Sequence, residues 1–352
     1  MIDETSYASD VSDELGLTPS AHAEDVVGEV DLTNTAYGED VAEAINEQPV
    51  GEYDLRVCQF NIGHFAMGKS PNNGTTPAWT DNTTDGYPTS TSRNYSIQLE
   101  RWQKFIDALG VDIFGLPEYS ARFGRHNVAG VATDVALADT GIFGGYEFSV
   151  GEIVASGGYW INTLVAKSGD DGYELTNPQD INLDKGTGVS STPYVHVATT
   201  TIGGKSVKVA VTHLNWNQSE AYYNSRRQYE IPNLVSLFSN DDYVILFGDF
   251  NCRPMSGDEV DGLHDLDPFV TAGFTLANNL NHPLATCYAT GSYPNGSDPS
   301  YPFVYIDNII VKGFTISNVR VLDTGVQVEG GTVDVGMLTD HCAVVADLTL
   351  ID

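Results

Sequence analysis

The chain repeats one arrangement: a short run of β-branched and apolar residues that stops at a side chain able to hold a cation or a phosphate. VCQFN ends at Asn61, IFGLPE at Glu118, VAVTH at His213, and VILFGDFN at Asp249 and Asn251. In VYIDNIIV the acid Asp307 sits inside the run, and in TDHCAVVADL the pair Asp340–His341 precedes it. Runs of this length and composition read as buried strands. Strand ends collected on one edge of a packed sheet form a rigid platform. Asp249 and Asn251 are two residues apart, so both face one way while Phe250 turns into the core.

The residue types at these ends point to phosphoryl chemistry. A carboxylate and an amide side by side, Asp249 and Asn251, bind a nucleophilic water and a phosphoryl oxygen together. Glu118 and Asp340 are hard oxygen donors that suit Mg²⁺ or Mn²⁺ better than zinc, which prefers His and Cys clusters. Asp307 is flanked on both sides by apolar residues, and a buried acid is costly without a partner. His341 is the natural one, because an Asp–His pair orients the imidazole and raises its pKa.

In sequence order, QFN at 59–61, LPE at 116–118, THLNW at 212–216, GDFN at 248–251, IDNI at 306–309 and TDH at 339–341 resemble the endonuclease/exonuclease/phosphatase superfamily, the deoxyribonuclease I-like proteins. GDFN followed downstream by DH is the specific part, and the resemblance spans residues 53–352. It implies an α/β fold of four layers, two mixed β-sheets packed face to face with helices outside. It also implies metal ligands at Glu118, Asn61 and Asp340. Asp249 would orient or deprotonate the attacking water, and Asn251 would hold the phosphate. His341, polarised by Asp307, and His213 would face the scissile phosphate. Asn162, in GYWINTLVAKS, is a looser match to a phosphate contact, and Arg122 and Arg125 are candidate phosphate-gripping residues in the segment after Glu118. Two positions depart from the family pattern: Pro117 replaces the usual Gln before the glutamate, and Asn215 stands where many members have Asp. Neither removes a catalytic group, so an active Mg²⁺- or Mn²⁺-dependent hydrolase is expected.

Between the strands, YSIQLERWQKFIDAL places Leu99, Trp102, Ile106 and Leu109 on a helical period, with Gly110 as its stop. A second helix is expected around SRRQYEIPNLVSLF, broken or kinked near Pro232. The Gly, Pro, Asn and Thr-rich segment from Gly63 to Arg93 reads as one long loop. Strands and helices alternate while GG at 203–204 marks a tight turn, a mixture that itself indicates mixed sheets covered by helices. The four cysteines show no CxxC spacing and read as buried thiols.

Charge divides the 352-residue chain. Met1 to Leu55 holds 15 Asp and Glu and no Lys or Arg, and the remainder has 33 acids against 16 bases. Residues 1–52 are expected to form an acidic arm that docks or assembles, and residues 53–352 the catalytic domain. No secretory signal or membrane-length apolar run is visible, which suits a location in the cytoplasm or in a larger particle. A net charge of −32 opposes a polyanionic partner unless bound cations reverse the local sign. The leading expectation for substrate is a nucleic acid cut by a nonspecific nuclease. The alternatives are a phosphatase or phosphodiesterase on a small or lipid-headgroup phosphate, and a structural or attachment protein of a larger assembly such as a phage virion.

Overall fold

A computed structural model describes residues 53–65, 93–119, 122–123, 135–136, 140–151, 161–170, 172–217, 219–252, 259–287, 304–323, 325–333 and 335–351. The acidic arm, most of the loop that begins at Gly63, and Arg125 lie outside the described residues.

The apolar runs become strands whose ends share an edge. One sheet has six strands, in the order β13 (Phe314–Leu322), β16 (Ala343–Leu350), β1 (Leu55–Gln59), β2 (Ile113–Tyr119), β6 (Ile161–Lys167) and β5 (Tyr146–Val150). The other, also six-stranded, runs β11 (Thr275–Leu276), β12 (Asp307–Lys312), β10 (Val244–Asp249), β9 (Lys205–His213), β8 (Tyr194–Ile202) and β7 (Thr176–Asn182). Both are mixed: β1 lies parallel to β2 and antiparallel to β16, and β10 lies parallel to β9 and antiparallel to β12. Two short ribbons, β3 (Arg122–Phe123) with β4 (Val135–Ala136) and β14 (Val326–Val328) with β15 (Gly331–Val333), complete the strands among the described residues.

The sheets pack face to face through Val57, Ile113 and Leu164 of one and Val209, Ile245, Phe247 and Ile309 of the other. They approach so closely that a Cβ on Gly115 would lie 2.2 Å from the Cβ of Phe247. Helix α1 (Arg93–Leu109) covers the outer face of the first sheet, where Trp102, Phe105 and Ile106 meet Phe60 and Phe114. It stops at Gly110, whose φ of +56° takes the chain out of the helix. The outer face of the second sheet is covered by Leu234 and Phe238, from the helix Ile231–Phe238, and by Phe269, from α4 (Asp267–Thr271), against Val197 and Leu246. The result is the expected four-layer sandwich.

Two local expectations are refined and a third is met. The second helix begins earlier, and Pro232 does not break it: α2 (Glu220–Ser225) passes through a wide π-helical turn, Arg226–Glu230, into α3 (Ile231–Phe238). A proline ring clashes with the carbonyl four residues back, and the wider turn opens that space. The segment after Asn61 starts with a 3₁₀ turn, Gly63–Phe65, and Phe65 is buried edge-on against Trp102 with ring centres 4.9 Å apart. Gly203 and Gly204, with φ of +55° and +77°, close the β8–β9 hairpin as their sequence indicated. Cys58, Cys252, Cys287 and Cys342 are buried and form no disulfide with one another.

Candidate active site

Strand register lines up the first three polar side chains. Asp249 pairs with His213 across the parallel β9–β10 ladder and with Asp307 across the antiparallel β10–β12 ladder. The facing sheet contributes Asn61 from the end of β1, Glu118 from the end of β2 and His341 just before β16.

Asp249 is the hub. Its Oδ2 accepts a 3.0 Å hydrogen bond from Asn61 Nδ2 and lies 3.5 Å from His213 Nε2 and 3.7 Å from His341 Nε2. Its Oδ1 accepts from the Asn251 N–H at 3.1 Å. The same Asn61 amide reaches Glu118 Oε1 at 3.3 Å, and His213 Nε2 is 3.8 Å from that oxygen. Burial pushes the Asp249 carboxyl above its usual range, with the neighbouring Asp307 adding to it, although His213, His341 and Asn61 pull the other way. Asp340 is pushed up to about 7, chiefly by burial and further by Glu118 and Asp249, with His341 opposing.

Asp307, wholly buried, has the partner it requires: Oδ2 is 2.8 Å from His341 Nδ1, and Oδ1 accepts from Gln59 Nε2 at 3.2 Å. Burial, the largest influence, would lower the imidazole, but Asp307 and Cys287 together outweigh it and hold His341 well above its ordinary pKa. Asn251 stands just past the strand with φ of +49°, a conformation asparagine tolerates, and its Nδ2 donates to the Leu214 carbonyl at 3.0 Å. Phe250 between them is buried in the core, as the alternation required.

Pro117 has a visible consequence. Proline cannot donate to a ladder, and the β2–β6 register shifts between Leu116 and Tyr119. Glu118 sits in that irregularity with φ of +52°, a left-handed backbone that costs a non-glycine residue about 1–2 kcal/mol. Such strain persists where surrounding contacts fix it, here where the carboxylate is aimed at Asn61 and His213.

Beside His213 opens a groove of about 330 Å³, walled by Asn162, Pro193, Tyr194, Leu214 and Trp216. Asn162 donates from Nδ2 to the Tyr194 carbonyl at 3.0 Å, and its buried Oδ1 has no partner among the described residues. Arg122 lies on β3, but its side chain, like the whole of Arg125, is outside the described residues.

Other polar contacts give no signal at the level of sequence. Gln59, inside QFN, braces Asp307, and Cys287 Sγ lies 3.7 Å from His341 Nε2 with its thiol pushed up to about 12 by burial. Asn215, the other departure from the family pattern, is held by the buried Glu230, its Nδ2 donating to Oε1 at 2.8 Å; Ser191 Oγ donates to Asn215 Oδ1. Arg226 in the π turn donates to the carbonyls of Asn215 and Asn217, which fixes the segment between His213 and Trp216. Glu230 and Arg226 are spaced like ordinary solvated helix charges, so only the fold reveals them. Ser149 Oγ is 2.9 Å from His196 Nε2, and His196 Nδ1 is 2.7 Å from Asp180. Ser149 and His196 are both buried, and this trio pins β5 of one sheet to β7 and β8 of the other.

A paired-sheet α/β sandwich with carboxylates, amides and histidines converging at one edge defines a deoxyribonuclease I-like protein. The chain belongs to the Endonuclease/Exonuclease/phosphatase family, which its sequence matches over residues 58–341. Similar solved structures include an endonuclease/exonuclease/phosphatase from Bacteroides vulgatus, 16% identical, covering 85% of this chain and 100% of its own, with a TM-score of 0.55. The human Nocturnin catalytic domain with bound sulfate is 17% identical over 84% of this chain and 94% of its own, with a TM-score of 0.52. A mannosyl-6-phosphatase of Bacteroides thetaiotaomicron is 16% identical over 84% of this chain and 100% of its own, with a TM-score of 0.51. No curated protein sequence matches the chain.

Proposed function

We propose that this protein is a divalent-metal-dependent phosphoric ester hydrolase. The carrying observation is the single carboxylate oxygen, Asp249 Oδ2, approached by Asn61, His213 and His341 together. A group in that position orients a water and takes its proton, while two imidazoles stand ready to meet the phosphoryl oxygens.

The donor set fits a hard cation. Glu118, His213 and Asp249 each offer a ligand atom within 4.8 Å of the others, whereas Asp340, also buried, groups in this way with Cys287 and His341. Glu118 with Asn61 and Asp340 would hold Mg²⁺ or Mn²⁺, with oxygen donors in the majority. A cation bound there supplies charge neutralisation for the phosphoryl group. Asn251 and His213 would position the phosphate. His341, kept protonated by Asp307, would stabilise the developing charge or protonate the departing oxygen, a contribution of about 10²–10⁴ in rate.

The fold does not choose the ester, since its neighbours include both a mannosyl-6-phosphatase and a TDP2 complexed with single-strand DNA product. Two observations favour a small phosphate ester over a nucleic acid. The described residues lining the groove beside His213 include no Lys or Arg. Residues after Leu55 carry 33 acids against 16 bases, a field that repels a polyanion. Nonspecific nuclease activity is the second reading, favoured by the exposed Trp216 beside His213, a surface on which a base would stack.

The test is hydrolysis of bis(p-nitrophenyl) phosphate, sugar phosphates, inositol phosphates, RNA and plasmid DNA with Mg²⁺ or Mn²⁺. Activity is expected to vanish with EDTA, return on adding metal, and fall by about 10²-fold or more in His341→Ala and Asp249→Asn. Turnover that persists in EDTA, or that survives both substitutions, would reject the assignment.

A further inference from the structure

We propose that Cys287, Asp340 and His341 form a binding site for a borderline transition-metal ion, Zn²⁺ above all, and that zinc held there closes the cleft to catalysis. The site stands on its own geometry, and its inhibitory effect rests on the phosphoester hydrolase reading.

Backbone pairing builds the cluster. Cys287 forms an antiparallel bridge with Val304 on one side and with His341 on the other. Its N–H and carbonyl exchange 3.1 Å hydrogen bonds with Val304, and the Cys342 N–H donates to the Thr286 carbonyl. Residues opposed in such a bridge bring their side chains to one face, with Cβ atoms about 4.5–5.5 Å apart. One ligand atom from each of Cys287, Asp340 and His341 lies within 4.8 Å of the other two. Cys287 Sγ and His341 Nε2 are 3.7 Å apart. Ligands at the usual Zn–S and Zn–N lengths of about 2.3 and 2.1 Å, set at a tetrahedral angle, stand about 3.6 Å from each other.

The donor types set this cluster apart from the oxygen donors of Glu118 and Asn61. Thiolate and imidazole are ligands zinc prefers, and a set of three protein donors leaves a fourth position for water. The support behind the histidine is also that of a metal ligand. His341 Nδ1 is 2.8 Å from Asp307 Oδ2, which leaves Nε2 for the ion. Asp307 is held in turn by Gln59 Nε2, 3.2 Å from Oδ1, and by its own N–H, which donates to Thr286 Oγ1 at 3.0 Å. Cys287, Asp340 and His341 are 6%, 7% and 6% exposed, so none of the three is sealed from solvent. The ion takes the place of the protons on Sγ and Nε2, which leave to water.

Occupation withdraws two groups from the reaction. His341 Nε2, 3.7 Å from Asp249 Oδ2, no longer meets a phosphate, and Asp340 is lost to the Mg²⁺ or Mn²⁺ site. Zinc is therefore an antagonist of the activating cation rather than a substitute for it.

The experiment titrates the metal-free full chain with Co²⁺, which reports thiolate ligation through a near-ultraviolet charge-transfer absorption. Wild type is expected to develop this band, and added Zn²⁺ to bleach it. Cys287→Ser should abolish the band while Cys342→Ser keeps it, with circular dichroism as the check on folding and Cys287→Ala as the second variant. In hydrolysis of bis(p-nitrophenyl) phosphate with Mg²⁺, Zn²⁺ is expected to inhibit wild type. Cys287→Ser should need about tenfold more Zn²⁺ for half-inhibition, each protein measured against its own uninhibited rate, since loss of an outer-shell partner alone costs about 10–100-fold in metal affinity. No band in wild type, or a band unchanged in Cys287→Ser and Cys287→Ala, overturns the site. A band that depends on Cys287 without inhibition keeps the site and overturns its control of the cleft. If no ester is hydrolysed, the hydrolase reading fails, and the cobalt band alone decides the site.

Discussion

Asp307 decides the state of His341. It is a member of the site whose role sequence alone could argue, because an acid set among Ile and Val demands a partner and a histidine is the natural one, an Asp–His pair orienting the imidazole. The structure supplies the bond at 2.8 Å, and a second hold from Gln59. Asp307→Asn keeps the volume but leaves the imidazole without a counter-charge. It is expected to lower kcat by about 10²–10⁴ with the fold intact, read by steady-state kinetics beside circular dichroism. An unchanged kcat would mean that His341 does not act in its charged form. The Asp249–Asn251 spacing was legible for a similar reason, since strand alternation fixes which side chains share a face. Cys287 against His341 and the orphan Oδ1 of Asn162 were not legible. They arise where segments distant in sequence meet, and no periodicity records such a meeting.

The central strands β1, β2, β9, β10, β12 and β16 were readable because burial on both faces demands continuous apolar runs. The edge strand β7, TNPQDIN, was not: it is largely exposed, carries Pro178 at a register shift, and has no alternation to detect. Gly115 shows how tightly the central strands are set. With no room for a methyl against Phe247, Gly115→Ala must push the sheets apart, and a loss of about 1–3 kcal/mol is expected in urea denaturation. The β1–β16 pair is pinned by Arg56, whose Nε and Nη2 meet the Asp347 carboxylate at 2.7 and 3.1 Å. Burial would raise the Asp347 pKa, yet the hydrogen bonds from Arg56 and Asn318 prevail and lower it. A folded pKa below the unfolded one means that this stabilisation is complete above the ordinary Asp value of about 4 and is lost as pH falls through the lowered value. Wild type is therefore expected to lose more stability than Asp347→Asn between pH 5 and about 3, read as the change in thermal midpoint. Parallel acid profiles for the two proteins would show that the pin carries no such linkage.

At the scale of the molecule, charge and catalysis are separated along the chain. Every Lys and Arg, and every residue assigned to the cleft, falls after Leu55, while residues 1–52 contribute 14 acids and no base. Self-assembly or docking through this arm, were it the arm's use, would make a measurable difference. Protein lacking residues 1–52 is expected to keep the thermal midpoint and the turnover of the full chain, because the core and the cleft are built after it. The full chain is expected to show a larger assembled mass in light scattering than the shortened one. Monomers of equal stability in both cases would remove the assembly role from the arm and leave the hydrolase domain as the whole of the function.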